Sequence, residues 1–359
     1  MMNSLLPVPR ARLSAQRGLS LVELMVGITI GLLVVAGLVT LFANSSGATN
    51  ELEKSIRQFE NGRYATDLLN EDLNHAGFYA DVLSTAGTPT YVVAGPCATA
   101  IADLGWAPST GTGTATIPAT IPAAIAGLAT AEVDALPCLP NHKANTPALA
   151  IHRLDTNAVA PGDATAGSAY VQSSRCGTST ATFVIATAVA GSGTATFPFQ
   201  NSDCTTPATV RRHVARVYYI ATCNECGIDT VPTLKRAELV GNVVTVTPMV
   251  EGIDDIAFDF GFDTQNATGD ITKFDGVPDE YRAGLSGTVG ANNNDWKNVV
   301  SVRIHLLSRT TEPTAGYTED KTYAMGLAGT RGPFTDRFKR RAYVITTRLN
   351  NVSGMREGS

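Results

Sequence analysis

The chain has 359 residues and a formal net charge of -5, with 44% hydrophobic and 16% charged residues. That length is ample for a sizeable core, and the acidic balance argues against an electrostatic grip on nucleic acid, though a local patch could still make contact. No G-x-S-x-G, H-E-x-x-H, Walker A or dinucleotide fingerprint occurs, and the five histidines lie scattered, so the reading is of a structural protein and not an enzyme.

Residues 1–18 carry Arg10, Arg12 and Arg17 and no acid. They lack the continuous apolar stretch of roughly 7–15 residues found in a conventional secretory signal. From Leu24 to Ala43 twenty consecutive residues carry no charge. As a helix they extend about 30 Å, enough to cross a bilayer core with every backbone polar group satisfied internally. Basic residues before this span, with Glu51 and Glu53 after it, place the N-terminus in the cytoplasm and the rest of the chain outside it. Without the first eighteen residues, 24 basic side chains face 32 acidic ones, a balance of -8.

Glu23 stands at the head of the span. A carboxylate there costs several kcal/mol unless it is paired or held at the interface. Nothing basic lies within the helix, and the nearest candidate partner is an amine freed by cutting the chain after Gly18. Gly27 and Gly31 form a G-x-x-x-G pair, which lets helices approach closely in lipid, although glycine is also simply common in membrane helices. An ordinary signal anchor with an accidental glutamate is the plain alternative.

Gly18 as last leader residue, Leu19 as new N-terminus and Glu23 as fifth mature residue together resemble a type IV prepilin processing site. The family usually has phenylalanine where Leu19 stands. The resemblance implies cleavage between Gly18 and Leu19 by a prepilin peptidase, N-methylation of Leu19, and an assembly salt bridge from Glu23 to the N-terminal amine of a neighbouring subunit.

Beyond Ala43, the polar group Asn44-Ser45-Ser46-Gly47 is expected to fray or bend the helix. Leu52, Ile56, Phe59, Leu69, Leu73 and Ala76 then recur at three- and four-residue steps, so residues 44–80 read as an amphipathic continuation ending near Gly77. Residues 81–213 are crowded with Ala, Thr, Gly and Pro and read as loops with short strands, of which Ala148 to Leu154 and Ala181 to Ala186 are the clearest. His142 and His152 fall here without a Cys or carboxylate at ligand spacing, and a surface or packed histidine is the simpler reading than a metal ligand.

Residues 214–359 are regular. Val214 to Ala221, Thr233 to Val240, Val243 to Thr247, Ile256 to Phe262, Val299 to Ser308 and Tyr343 to Leu349 are strand-like, several with period-two alternation and with turn signals such as Gly241-Asn242 between them. The expected fold is α+β and pilin-like: a long N-terminal helix, transmembrane then amphipathic, packed on an antiparallel sheet.

Val217-Tyr218-Tyr219-Ile220, Pro232 to Leu239, Met249 to Ile253, Val302 to Leu307 and Arg340 to Thr347 resemble the PilW family of minor pilins. The resemblance covers the first 80 residues and about the last 145. It implies a low-abundance pilus subunit in the membrane-anchored complex that primes fibre assembly, located at the tip. The implied partners are other minor pilins, the major pilin, the prepilin peptidase and the inner-membrane assembly machinery. The implied location is the inner membrane, single-pass with a periplasmic C-terminal region, and then the pilus at the cell surface. No cofactor is implied. The type II secretion pseudopilin GspJ is a related fold and the alternative. The run Lys339-Arg340-Arg341 reads as a solvated strand edge or a face for acidic partners in preference to a nucleic-acid contact.

Six cysteines, Cys97, Cys138, Cys176, Cys204, Cys223 and Cys226, all follow the span, in a compartment where disulfides persist. Fifteen pairings are open, and sequence order favours Cys97–Cys138, Cys176–Cys204 and Cys223–Cys226. Cys223-Asn224-Glu225-Cys226 also matches a thioredoxin-like C-x-x-C, but it lies in a glycine-containing turn between strand patterns, which favours a structural bridge. An exported anchored enzyme or redox protein using this pair is the rival from another class. Asp254, Asp255, Asp259, Asp263, Asp270, Asp275 and Asp279 crowd one region. Asp275 and Asp279 are weak calcium candidates, lacking EF-hand spacing, and a solvated acidic loop is the default reading.

Overall fold

The computed structural model describes residues 18, 20–82, 89–108, 118–179, 183–265, 268–270, 273–284 and 293–357. Two compact units divide between Glu53 and Lys54. Helix α1 (Leu21–His75) runs through 55 residues and belongs to both. The polar Asn44–Gly47 group stays helical. Hydroxyls along the helix return to their own backbone, Thr29 to the Val26 carbonyl, Thr40 to that of Gly37 and Thr49 to that of Ser45, at 2.8–3.0 Å. Such bonding satisfies the hydroxyl without breaking the ladder.

In the first unit the large apolar side chains from Leu21 to Phe42 are all at least half exposed. This stretch is long and apolar enough to cross a membrane. In the second unit α1 buries Gln58, Gly62, Ala65, Thr66, Leu69, Asp72 and Leu73, a stripe at helical spacing. At Gly62 the helix meets the strand β16 (Arg340–Arg348) so closely that a Cβ would stand 2.3 Å from the ring of Tyr343.

Two antiparallel sheets share a core with this stripe. The first has the order β10 (Val243–Glu251), β9 (Thr233–Val240), β8 (Val210–Ala221), β5 (Ala148–Leu154), β4 (Ile125–Leu128), with β6 (Ala169–Ser173) joining β8 and β7 (Phe183–Thr187) joining β6. The second has the order β12 (Glu280–Arg282), β11 (Ile253–Phe262), β13 (Val299–Arg309), β16 (Arg340–Arg348). A small sheet of β1 (Thr90–Val92), β2 (Ala107–Pro108) and β3 (Pro118–Pro122), and a ribbon of β14 (Tyr323–Ala324) with β15 (Thr330–Arg331), complete the described strands.

The chain leaves the first sheet and enters the second at one residue, Gly252, between β10 and β11. Its φ of +73° is in the left-handed region, and a Cβ would stand 2.8 Å from the Arg309 carbonyl oxygen. Only glycine fits without strain.

Alternation on β13 places Val300, Val302, Ile304 and Leu306 in the core, all fully buried. The opposite face is covered as well. Ala257 and Leu307 pack against Met325, with Tyr323 and Phe334 beside them, so the segment carrying β14 and β15 lies over the outer face of the second sheet. Both faces being covered explains why all ten residues of β11 are buried, three aspartates included.

The first sheet holds a buried pair of histidines. The rings of His152 (β5) and His213 (β8) stack with centroids 5.8 Å apart. Trp106 Nε1 donates to His213 Nδ1 at 3.2 Å, which leaves the proton on Nε2. Both His152 nitrogens and His213 Nε2 lack partners among the described residues. Burial lowers His152 to about 4, and burial, His152 and Arg212 lower His213 well below its ordinary value. A base with a lowered folded-state pKa takes up fewer protons than the unfolded chain once the pH falls below 6.5. The stability it supports is therefore whole above that pH and lost between 6.5 and about 4, worth about 3 kcal/mol for His152 alone. Denaturation followed by tryptophan fluorescence should show a midpoint that falls as the pH is lowered through this window, and His152→Phe should make the fall shallower, His213 supplying the remainder.

Candidate assembly site and charged network

The candidate assembly site begins at the first turn of α1. Ser20 precedes it, and its carbonyl accepts from the Leu24 N–H at 3.0 Å. Glu23 is an acid in the first turn, where the unsatisfied N–H groups favour negative charge. It is exposed, and no ion pair to it forms among the described residues. Gly18 is described and exposed, whereas Leu19 lies outside the described residues. Gly27 and Gly31 have nothing within 4 Å of where a Cβ would be, so this chain's own described atoms leave both surfaces open.

The second unit holds a charged network that joins α1 to the first sheet. Asp72 lies in the apolar stripe of α1, between Leu69 and Leu73. It accepts from Arg216 Nη1 at 2.7 Å and from the Tyr218 hydroxyl at 2.7 Å, and Arg153 is 3.6 Å away. Glu238 takes Arg216 and Arg236 at 3.1 Å each. Asp72, Arg153, Arg216, Tyr218 and Arg236 line a cleft of about 360 Å³ with Glu71 and His75. Burial and Asp72 push the Tyr218 hydroxyl up, out of reach of ionisation at neutral pH.

Four of the seven clustered aspartates do not lie in the solvated loop expected from sequence, whereas Asp279 is exposed. Asp254, Asp255, Asp259 and Asp263 are buried on β11 or at its end, and each meets a base. Asp254 takes Arg340 Nε at 2.7 Å and Lys143, Asp255 takes Arg331 Nε at 2.7 Å, Asp259 takes His305 Nε2 at 2.9 Å, and Asp263 faces Arg356 at 3.3 Å. Burial alone would raise Asp254, but Lys143 and Arg340 outweigh it and hold the carboxyl low; at Asp255 burial wins and the carboxyl is raised.

The two calcium candidates spend carboxylate oxygens on backbone amides. Asp275 accepts from the Val277 N–H at 3.0 Å, and Asp279 from those of Thr264 and Gln265 at 2.7 and 3.0 Å. His142 is held by Asp134 at 2.8 Å and by the Thr146 carbonyl, a carboxylate neighbour that sequence spacing alone did not show. Among the described residues no cluster of three or more metal-binding side chains forms.

One member of the basic run is likewise used internally. Arg340 is buried, with Phe334 3.7 Å below its guanidinium; Lys339 approaches the Tyr317 ring, and Arg341 lies over Phe59. Arg340 alone departs from the solvated edge expected of the run, because a planar guanidinium satisfies three acceptors at once and can be buried where a lysine could not, while Arg341 stays exposed on the edge strand β16. The six cysteines form Cys97–Cys138, Cys176–Cys204 and Cys223–Cys226, closing sequence separations of 41, 28 and 3 residues.

A long apolar helix with an acid in its first turn, continuing into an α+β unit stapled by disulfides, defines a membrane-anchored single-pass protein of pilin type. Residues 13–39 match the family model of the prokaryotic N-terminal methylation motif, which supports a type IV pilus-related pilin. More particularly, residues 217–351 match the model of PilW, the type IV pilus-assembly protein W. The second match spans β9 to β16 and the last five residues of β8, and residues 40–216 lie outside both. Neither a curated protein nor a solved structure matches the chain significantly.

Proposed function

We propose that the chain is a minor pilin of a type IV pilus, part of the membrane-anchored complex that primes fibre assembly, and that it ends at the pilus tip. The observation that carries this reading is the coincidence of the methylation motif over residues 13–39 with a helix that begins at Leu21 and presents Glu23 in its first turn. Cleavage after Gly18 frees an amine on Leu19. A neighbouring subunit's amine then neutralises Glu23 in lipid, where an unpaired carboxylate is costly. Subunits joined in this way are held by a charge pair that a single chain leaves incomplete, and the exposed G-x-x-x-G surface around Gly27 and Gly31 lets their helices approach. Other minor pilins and the major pilin are the partners this reading requires, with the bulk of the chain facing the periplasm before assembly.

The processing step is tested by expressing a C-terminally tagged chain with and without the prepilin peptidase and determining the N-terminus. The expected product begins at an N-methylated Leu19 only when the peptidase is present. A product still carrying residues 1–18 in its presence would overturn the reading.

A further inference from the structure

The bridge between Cys223 and Cys226 differs from the other two in its surroundings. It sits in the turn from β8 to β9. Cys226 is exposed while Cys223 is buried, and none of the other five cysteines is exposed. Lys235, on β9, is itself only 7% exposed, and its ammonium points at Cys226 Sγ from 3.4 Å. Among the described residues that sulfur is the only hydrogen-bond partner of the Lys235 ammonium. A disulfide sulfur is a poor acceptor, and a mostly buried ammonium so placed gains far more from a thiolate. The charged groups nearby are few. Asp229 turns its carboxylate to the N–H groups of Asn224, Glu225 and Val231, Glu225 is exposed, and Arg309 reaches the Thr230 carbonyl. Lys235 is thus the cation at the sulfur.

From this geometry we propose that Cys223–Cys226 is a reducible redox pair, opened by an external dithiol, with Lys235 holding the released Cys226 thiolate. One thiolate of the dithiol attacks the exposed Cys226 Sγ. The S–S bond breaks, and its electron pair leaves on Cys223 Sγ, which takes up a proton. The second thiol of the reductant, deprotonated by solvent, attacks the reductant's own sulfur in the mixed disulfide and expels Cys226 as a thiolate beside Lys235. Two electrons pass to the bridge, and the dithiol ends as a disulfide. Ring size works in the same direction. A disulfide stabilises by constraining the unfolded chain, more for longer loops, so a separation of 3 residues gives this bridge the least protection against 28 and 41 for the others. The inference is independent of the pilin reading, since it rests on the β8–β9 turn alone.

The test is a redox titration of the full chain in detergent with reduced and oxidised dithiothreitol, trapping thiols with an alkylating agent and assigning each bridge by peptide mass. The expected result is half-reduction of Cys223–Cys226 at a reductant ratio about tenfold or more below that needed by the other two bridges. In Lys235→Met the required ratio should rise about tenfold, and the pH at which Cys226 becomes half-reactive should rise by about one unit, while Lys235→Arg stays close to wild type. Reduction of all three bridges together, or a Lys235→Met protein with an unmoved titration and alkylation profile, overturns the proposal.

Discussion

Arg340→Ala is expected to destabilise the second unit by roughly 3–5 kcal/mol, among the largest losses any single substitution can cause here. The guanidinium donates to Asp254 Oδ2 at 2.7 Å and to both oxygens of Asp336 at 2.6 and 2.7 Å, and its side chain is 2% exposed. It therefore joins β11, β16 and the segment between β13 and β16 through one planar group. Its backbone N–H also reaches the fully buried Glu319, which further binds the Tyr317 and Tyr323 hydroxyls. Truncation leaves Asp254 buried with Lys143 alone, and a buried charge short of partners is far more costly than the pair was favourable. Arg340→Ala combined with Asp254→Asn should recover part of the loss, because the orphaned charge is gone. Chemical denaturation of the full chain in detergent, followed by Trp106 and Trp296 fluorescence, measures both. A loss below about 1 kcal/mol, the range of surface pairs, would contradict this account.

Much of this fold was legible in residue order. The 3.6-residue recurrence of Leu69, Leu73 and Ala76 and the alternation along β13 both report a buried face directly. Thr233–Val240 and Ala148–Leu154 are strands with the bounds their patterns suggest. Strand ends were less legible. β11 begins at Ile253 and β16 at Arg340, because Asp254, Asp255, Arg340 and Arg341 look like loop residues until their partners are known. A buried ion pair is a property of two distant positions, and neither member announces it alone.

The same limit hid the stacked His152 and His213, which lie on adjacent strands 61 positions apart, and the cleft around Asp72. There one signal was present. Asp72 is a carboxylate in the apolar stripe of α1, and an acid on a core face needs a buried base. The unbroken course of α1 through Asn44–Gly47 shows the converse error. Residues with weak helix propensity suggest fraying or a bend, but propensity is a weak prior inside a helix with long regular flanks.

The central claim concerns Glu23. It opens a helix with no cation to pair it among the described residues, and the apolar side chains that follow are exposed. In lipid an unpaired carboxylate costs roughly 2.5–3.5 kcal/mol or more, so a subunit that supplies the missing amine is selected by that amount. Glu23→Gln keeps the size and removes the charge. If about 2 kcal/mol of the pairing is lost, incorporation should fall about 30-fold. The chain should still be made, inserted and cleaved, since the proposed cleavage lies between Gly18 and Leu19, away from the substituted side chain.

The decisive measurement is quantitative detection of tagged wild-type and Glu23→Gln protein in sheared, purified fibres, normalised to the membrane pool. The account predicts a processed variant that stays in the membrane and is depleted from fibres by more than tenfold. A variant recovered in fibres at the wild-type ratio would contradict it.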